Sequence, residues 1–238
     1  MTRTPELADA VARAETAARA GRWPCASNEH LVVSLLADAQ VASRLNLANV
    51  HAGDLRDEVD AEVRKLPPPI GAYVGGDFYV RTLEAQWPAG KRVSAAAVCG
   101  RLLRSPIPRA LLVERGAVYG DLLYVLAHGL MPGDHRMASP YRDVLPDGEY
   151  RVILHGDDFT PVGFVVEILR DTFGIPAIDA AIHAATARAA DRDPIATLPL
   201  AEALERITKA TETARGYNCP LRLTVEPLDD DRPKLNLP

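Results

Sequence analysis

YRVILHGDDFTPVGFVVEIL, residues 150–169, passes from a strand into a helix within twenty residues. YRVIL (150–154) is a short β-type run of branched and aromatic side chains. DDFTP then breaks it. Thr160 is a good helix N-cap, and Pro161 stands where proline is favoured at the first helical position. Val162, Val165, Val166, Leu169 and Phe173 fall on one apolar stripe at helical spacing, and Gly174 is placed to end the helix.

Reading outward toward the C-terminus, a second helix is expected from about Pro176 to Ala190. An extended run follows at PIATL (194–198), then a third helix over 200–215 with Leu200, Leu204 and Ile207 inward. PLRLTVEP (220–227) alternates Leu221, Leu223 and Val225 and reads as a closing strand. The order is β-α-α-β-α-β. The tail from 229 to 238 is acidic and proline-bearing and is expected to be loosely attached.

Reading toward the N-terminus, HGLMPGDHRMASPYRDVLPDGEY (128–150) is rich in Pro, Gly, Asp and Ser and reads as a linker. A lesser break is LPPPIGAYVGG (66–76). The rest of the first 130 residues reads as helix with no period-2 strand. Ser27 or Asn28 caps a helix through Leu31, Leu35 and Leu36, and Asp54 starts another carrying Leu55, Val59 and Val63. An offset of 67 superposes residues 7–65 on the following stretch without a gap. Val11 falls on Phe78, Ala18 on Ala85, Ser27 on Ser94, Leu31 on Val98, Leu35 and Leu36 on Leu102 and Leu103. Leu45 falls on Leu112, Asp54 on Asp121, Leu55 on Leu122 and Val59 on Leu126. Two repeats of four helices, each burying its apolar stripe on the other, are the expected architecture of this half. The domain organisation is therefore 1–129 helical repeat, 130–148 linker, 149–228 α+β domain and 229–238 tail.

Composition bounds the function. The chain has 238 residues, 47% hydrophobic and 25% charged, with a formal net charge of −5. Residues 1–130 hold 15 Lys/Arg and 14 Asp/Glu, and residues 131–238 hold 12 and 18. This balance gives no electrostatic footprint for nucleic acid. No apolar run reaches the ~18 residues of a membrane helix, and the acidic residues from Glu6 on do not suit a secretory signal. Cys25, Cys99 and Cys219 are far apart, so neither a disulfide framework nor a zinc site is indicated, and a reducing cytoplasm is the expected compartment. GxxxxGK[ST] and GxSxG are both absent, and the histidines show no metal-ligand spacing. The expectation is a protein without enzymatic activity, cofactor or metal.

SNEHLVVSLLAD (27–38) resembles the TEHLLLALL segment of the Clp N-terminal repeat, which occurs twice in the substrate-receiving domain of Clp-type unfoldases. VSAAAVCGRLLRS (93–105) keeps the cap and the leucines but not the Glu-His pair. Residues 150–226 are similar to ClpS, the adaptor that delivers substrates to the Clp unfoldase. The family pattern YKVxLxNDDYTPMEFVxxVL and the closing PLxCTLE read here as YRVILHGDDFTPVGFVVEIL and PLRLTVEP, without a gap. These resemblances imply an all-α double four-helix repeat followed by a small α+β domain with a three-stranded antiparallel sheet.

The ClpS resemblance also implies a pocket for a substrate's N-terminal residue, the N-degron. The family surrounds the free amine with an Asn and an Asp from the NDD loop and a His on the second helix. Here that loop is Gly156, Asp157, Asp158, and the His position falls on Arg188. Glycine supplies no side-chain acceptor, and a guanidinium offers donors only, so it repels an ammonium. The apolar part of the pocket corresponds to Leu154, Val162, Val165, Ala184, Ala187 and Leu221, with Thr160 and Pro161 at its loop side. Ala177, Ala181, Ala184 and Arg188 share one helical face. Arg188 is expected to lie across the space left by the alanines and to pair with Asp157 or Asp158, leaving N-degron affinity weak or absent. Simpler readings stand beside these. Asp158 suits turn chemistry, Arg188 suits a helix C-terminus, and His155 suits a strand end.

The family's docking face on the third helix corresponds to Ala201 and Arg206. Glu29 matches a glutamate of a phosphoarginine-type site, but its repeat counterpart is Ala96, and a solvated helix-start glutamate is the simpler reading. The implied partners are the N-domain of a ClpA- or ClpC-type unfoldase, substrate peptides, and the repeat domain of the same chain in cis. The implied role is a Clp adaptor or regulator. The alternative is a decoy whose repeat domain captures ligands or adaptors meant for the unfoldase.

Overall fold

The computed structural model describes residues 2–67, 92–132 and 148–228. The chain divides into two compact units, Met1–Met131 and Pro132–Pro238. The expected break at 66–76 from residue 68 on, most of the linker and the tail at 229–238 lie outside the described residues, as do Phe78 and Ala85 of the repeat.

In the first unit the elements are β1 (Thr2–Arg3), α1 (Pro5–Ala20), α2 (Asn28–Leu36), α3 (Ala39–Leu47), α4 (Ala52–Lys65), β2 (Arg92–Val93), α5 (Ala95–Leu102), α6 (Pro106–Glu114) and α7 (Tyr119–His128). The start residues of α2, α3 and α4 recur 67 positions later in α5, α6 and α7, and α3 and α6 also end 67 apart. Caps recur with them: Ser27 and Ser94 accept from the backbone N–H groups of His30 and Ala97. The apolar partners Leu31/Val98, Leu35/Leu102, Leu36/Leu103, Leu45/Leu112, Leu55/Leu122 and Val59/Leu126 are all buried. Burial of each such side chain contributes about 1.5 to 3 kcal/mol.

The two copies also differ at their caps: Asp38 Oδ1 accepts from the Val41 N–H at the start of α3, whereas Ser105 makes no such bond at α6. In α2 the His30 Nδ1 accepts from the Ser27 backbone N–H at 3.2 Å, completing a reciprocal capping box. Burial pushes the His30 pKa down, opposed by Glu29, Asp60 and Glu15. Ala97, at the equivalent place, cannot return the bond. Two expectations for this half need correction. β1 and β2 form a two-residue parallel ribbon, Thr2 opposite Arg92 and Arg3 opposite Val93, where no strand was expected. The fourth helix is entered at His51, with Asp54 inside its first turn rather than at its start.

In the second unit the elements are β3 (Glu149–His155), α8 (Val162–Phe173), α9 (Ala177–Ala190), β4 (Arg192–Pro199), α10 (Leu200–Gly216) and β5 (Arg222–Pro227). The sheet order is β4-β3-β5, with both pairings antiparallel. Val152 faces Ala196 while Ile153 faces Pro194, so Ile195 is an extra residue that bulges β4. Val152 and Leu154 of the central strand pack with Val165, Ile168, Leu169 and Phe173 of α8, Ala180, Ala184 and Ala187 of α9, and Ala203, Ile207, Ala210 and Ala214 of α10. Gly174 closes α8 at φ 70, the left-handed conformation that glycine adopts without strain.

Several facing assignments differ from the sequence reading. Val162 is 36% exposed and Val166 only partly buried, while Ile168 takes the inward place. Leu200 and Leu204 are half-buried, and Ala203 and Ala210 carry the buried face of α10 with Ile207. On α9 the buried face is Ala180, Ala184 and Ala187, whereas Ala177 is exposed.

Candidate functional site

The site lies where β3 runs out into the loop before α8 and meets the C-terminal half of α9. Leu154, His155, Gly156, Asp157, Thr160, Val162, Val165, Ala184, Ala187, Arg188 and Leu221 line one concavity. Two of the expected residues are not among those walls: Asp158 is half-buried in the loop, and Pro161 is exposed. His155 was read as a plain strand-end residue, yet it lines the cavity and shares a 2.9 Å hydrogen bond between Nε2 and the Thr224 Oγ1.

Asp157 organises the loop. Its Oδ1 accepts from the backbone N–H of Phe159 at 2.7 Å and of Thr160 at 2.6 Å, and its Oδ2 accepts from the Thr160 hydroxyl at 2.7 Å. Thr160 therefore does not cap α8, as its position before Pro161 suggested; its hydroxyl is turned back to Asp157. Burial pushes the Asp157 carboxyl above its ordinary range, opposed by the Thr160 and Phe159 hydrogen bonds and by the Arg188 charge.

Gly156 touches the opposite wall directly. Its N–H donates to the Asp191 carbonyl at 2.9 Å. A Cβ at this position would overlap the Ala187 carbonyl oxygen and would lie 2.8 Å from the carbonyl carbon and 3.1 Å from the Arg188 Cα. Only a glycine fits an approach of backbone to backbone this close. Arg188 is half-buried, and its Nη2 reaches the Thr160 carbonyl at 3.5 Å. The cavity volume is about 20 Å³, room for a single water molecule.

Ala184 and Ala187 were expected to leave space for Arg188. Arg188 lines the same cavity, and the α9 backbone approaches the loop closely at Gly156. This is the feature that residue-type reasoning missed, and the only sequence signal for it is the coincidence of a glycine with alanines on the facing helix.

The geometry places a loop–helix cleft on a β-α-α-β-α-β unit. The family described as ATP-dependent Clp protease adaptor protein ClpS matches residues 146–224. This segment is a ClpS adaptor domain. That family is non-catalytic. The chain is 41% identical over 44 residues to an ATP-dependent Clp protease adapter protein ClpS from Vibrio atlanticus (strain LGP32). That alignment covers 18% of this chain and 42% of the relative, so the chain spans under half the length of the curated relative it matches. Among solved structures, Agrobacterium tumefaciens ClpS2 bound to L-phenylalaninamide aligns at 26% identity over 33% of this chain and 95% of its own, with a TM-score of 0.33.

Two further expectations can be placed. On α10, Ala201 is exposed, and Arg206 donates to the Glu202 Oε1 at 2.6 Å and to the Thr172 carbonyl at 3.3 Å. The helix thus carries an acid beside the Ala201 position, committed to its own basic neighbour. In the first unit Glu29 is half-buried in the first turn of α2, and Ala96 is 1% exposed. Among the described residues no group of three or more His, Cys, Asp or Glu side chains could hold a metal ion, and no helix is long and apolar enough to cross a membrane.

Proposed function

We propose that the chain is a non-catalytic adaptor or regulator of a Clp-type ATP-dependent protease. Its ClpS domain docks on the unfoldase N-domain, and its cavity no longer takes a large N-terminal residue. The observation that carries the second part is the cavity volume of about 20 Å³. A bulky first side chain needs an apolar hole many times larger. The polar groups argue the same way. Both carboxylate oxygens of Asp157 are engaged within their own loop, Gly156 offers no side-chain acceptor, and Arg188 brings a positive charge where an ammonium would sit. The working compartment is the cytoplasm, with the protease.

The first unit supports a second reading. Its helix triplets repeat at 67 residues with a matched serine cap and matched buried apolar residues, which supports reading it as a doubled repeat of the Clp N-terminal kind. As such a receptor it acts as a decoy that captures adaptors meant for the unfoldase.

Adding the full chain to a Clp protease and its cognate adaptor, with a reporter that begins with leucine, tests the closed-cavity reading. A regulator with a closed cavity leaves degradation by the unfoldase alone unchanged and inhibits adaptor-driven degradation. Fluorescent peptides beginning with Leu or Phe show no saturation up to about 1 mM, a binding free energy near −4 kcal/mol. Low-micromolar binding of either peptide, or accelerated degradation of the reporter, overturns the closed-cavity reading.

A further inference from the structure

We propose that Gly156, together with the alanine face of α9, is the specificity-determining element of this cavity, and that the Arg188 side chain is not what closes it. The inference rests on the closed-cavity reading above and names the contact that decides it. It limits what the cavity admits to a water molecule or a group no larger than a methyl.

Four observations meet at this point. The Gly156 N–H donates to the Asp191 carbonyl at 2.9 Å, so a backbone-to-backbone bond joins the loop to the end of α9. A methyl at 156 has no room, because the Ala187 carbonyl and the Arg188 Cα occupy it. Ala184 and Ala187 are 5% and 0% exposed, and side chains of one carbon let the helix backbone settle against β3 and its loop. The helix cannot swing away freely. His183 Nδ1 lies 2.5 Å from the Asp193 Oδ2, which ties α9 to β4, and Asp193 stands opposite Leu154 in the sheet register.

Arg188 contributes a different kind of contact. Its Nη2 reaches the Thr160 carbonyl at 3.5 Å, the limit of a hydrogen bond, and its charge acts on the Asp157 carboxylate; these are contacts of a half-buried side chain across the cavity, not of its backbone walls. Removing it takes away a flexible side chain at the cavity and leaves both backbone walls in place. Adding one methyl at 156 forces those walls apart, since neither neighbour is the far end of a mobile side chain.

The test uses the full chain and compares Gly156→Ala, Arg188→Ala and Ala184→Met by amide hydrogen exchange and thermal unfolding. Gly156→Ala is expected to speed exchange over residues 156–160 about 100-fold while Val152 and Leu154 stay protected, and Arg188→Ala to change it less than about threefold. Ala184→Met wedges the helix outward. On that background Gly156→Ala is expected to lower Tm by less than half of what it does alone, because the two substitutions relieve the same contact. The proposal is overturned if Arg188→Ala opens the loop as far as Gly156→Ala, or if the Tm losses of Gly156→Ala and Ala184→Met simply add. Should Gly156→Ala fail to fold, the exchange of Arg188→Ala still decides: an opened loop rejects the proposal and a closed one upholds it. L-phenylalaninamide serves as the separate probe of the underlying reading, since its saturable binding to the wild-type chain would refute the closed cavity without touching the ranking of the variants.

Discussion

Asp157→Ala is expected to lower the stability of the ClpS domain by about 3 kcal/mol. Three donors converge on this carboxylate: the backbone N–H groups of Phe159 and Thr160 and the Thr160 hydroxyl, all within 2.7 Å. Alanine leaves them without an acceptor in a place where water has little access, and each such orphan costs about 1 kcal/mol or more. Asp157→Asn keeps an oxygen for the backbone donors and is expected to lose less than half as much.

The pH dependence follows from the same burial. The folded-state pKa of Asp157 is raised above its unfolded value. Between those two values the folded form holds the extra proton. The contribution of this group is therefore present in full below the ordinary Asp range, about 3.8 to 3.9, and is lost as pH rises through the folded value. Relative to Asp157→Asn, the wild-type domain should lose stability as pH rises across that window. Hydrogen exchange of the β3 amides as a function of pH measures it, and a wild-type profile parallel to that of Asp157→Asn would contradict it.

Leu55→Ala and Leu122→Ala are each expected to cost the first unit about 2 to 5 kcal/mol. Leu55 is 0% and Leu122 1% exposed, at equivalent places in α4 and α7. Each truncation removes the transfer free energy of a buried side chain and leaves a cavity that a close-packed interior fills only in part. Because the two leucines are repeat partners, the losses should agree to within about 1.5 kcal/mol. Trp23 lies in the loop between α1 and α2 of this unit and no tryptophan occurs in residues 132–238, so the Trp23 fluorescence follows its unfolding separately from the ClpS domain. A cost under about 1 kcal/mol at either site would show that the repeat does not place these residues in one core.

Much of this architecture is legible in the residues because the signals are strong and local. The alternation of PLRLTVEP, the valine and leucine spacing after DDFTP, and Gly174 at a helix end each correspond to one backbone state. The 67-residue offset is legible because serine caps and paired leucines recur together. What is not legible has physical causes too. A ribbon of two residues at 2–3 and 92–93 spans a single period of strand alternation, too short to form a pattern. Alanines do not announce which way they face: Ala177, Ala181, Ala184 and Arg188 share one helical face, and the buried residues of α9 are Ala180, Ala184 and Ala187. Thr160 before Pro161 has the residue type of a cap, but the helix begins at Val162 with Pro161 in the cap position, and the Thr160 hydroxyl donates to the Asp157 carboxylate.

The site shows the same division. Most of its lining can be assembled from residue positions, but whether small residues widen a cavity or let its walls meet depends on backbone separation. That is a tertiary quantity, and Gly156 against Ala187 decides it here. A reading by residue type alone makes Gly156 a lost acceptor; the fold makes it the point of contact.

The most direct measurement is a calorimetric titration of the full chain with the isolated N-domain of a Clp unfoldase. The account predicts saturable one-to-one binding with a Kd of about 10 μM or tighter, unchanged by Arg188→Ala and weakened by Arg206→Glu on α10. No binding at about 100 μM of each partner, or binding indifferent to Arg206→Glu yet abolished by Arg188→Ala, would contradict it.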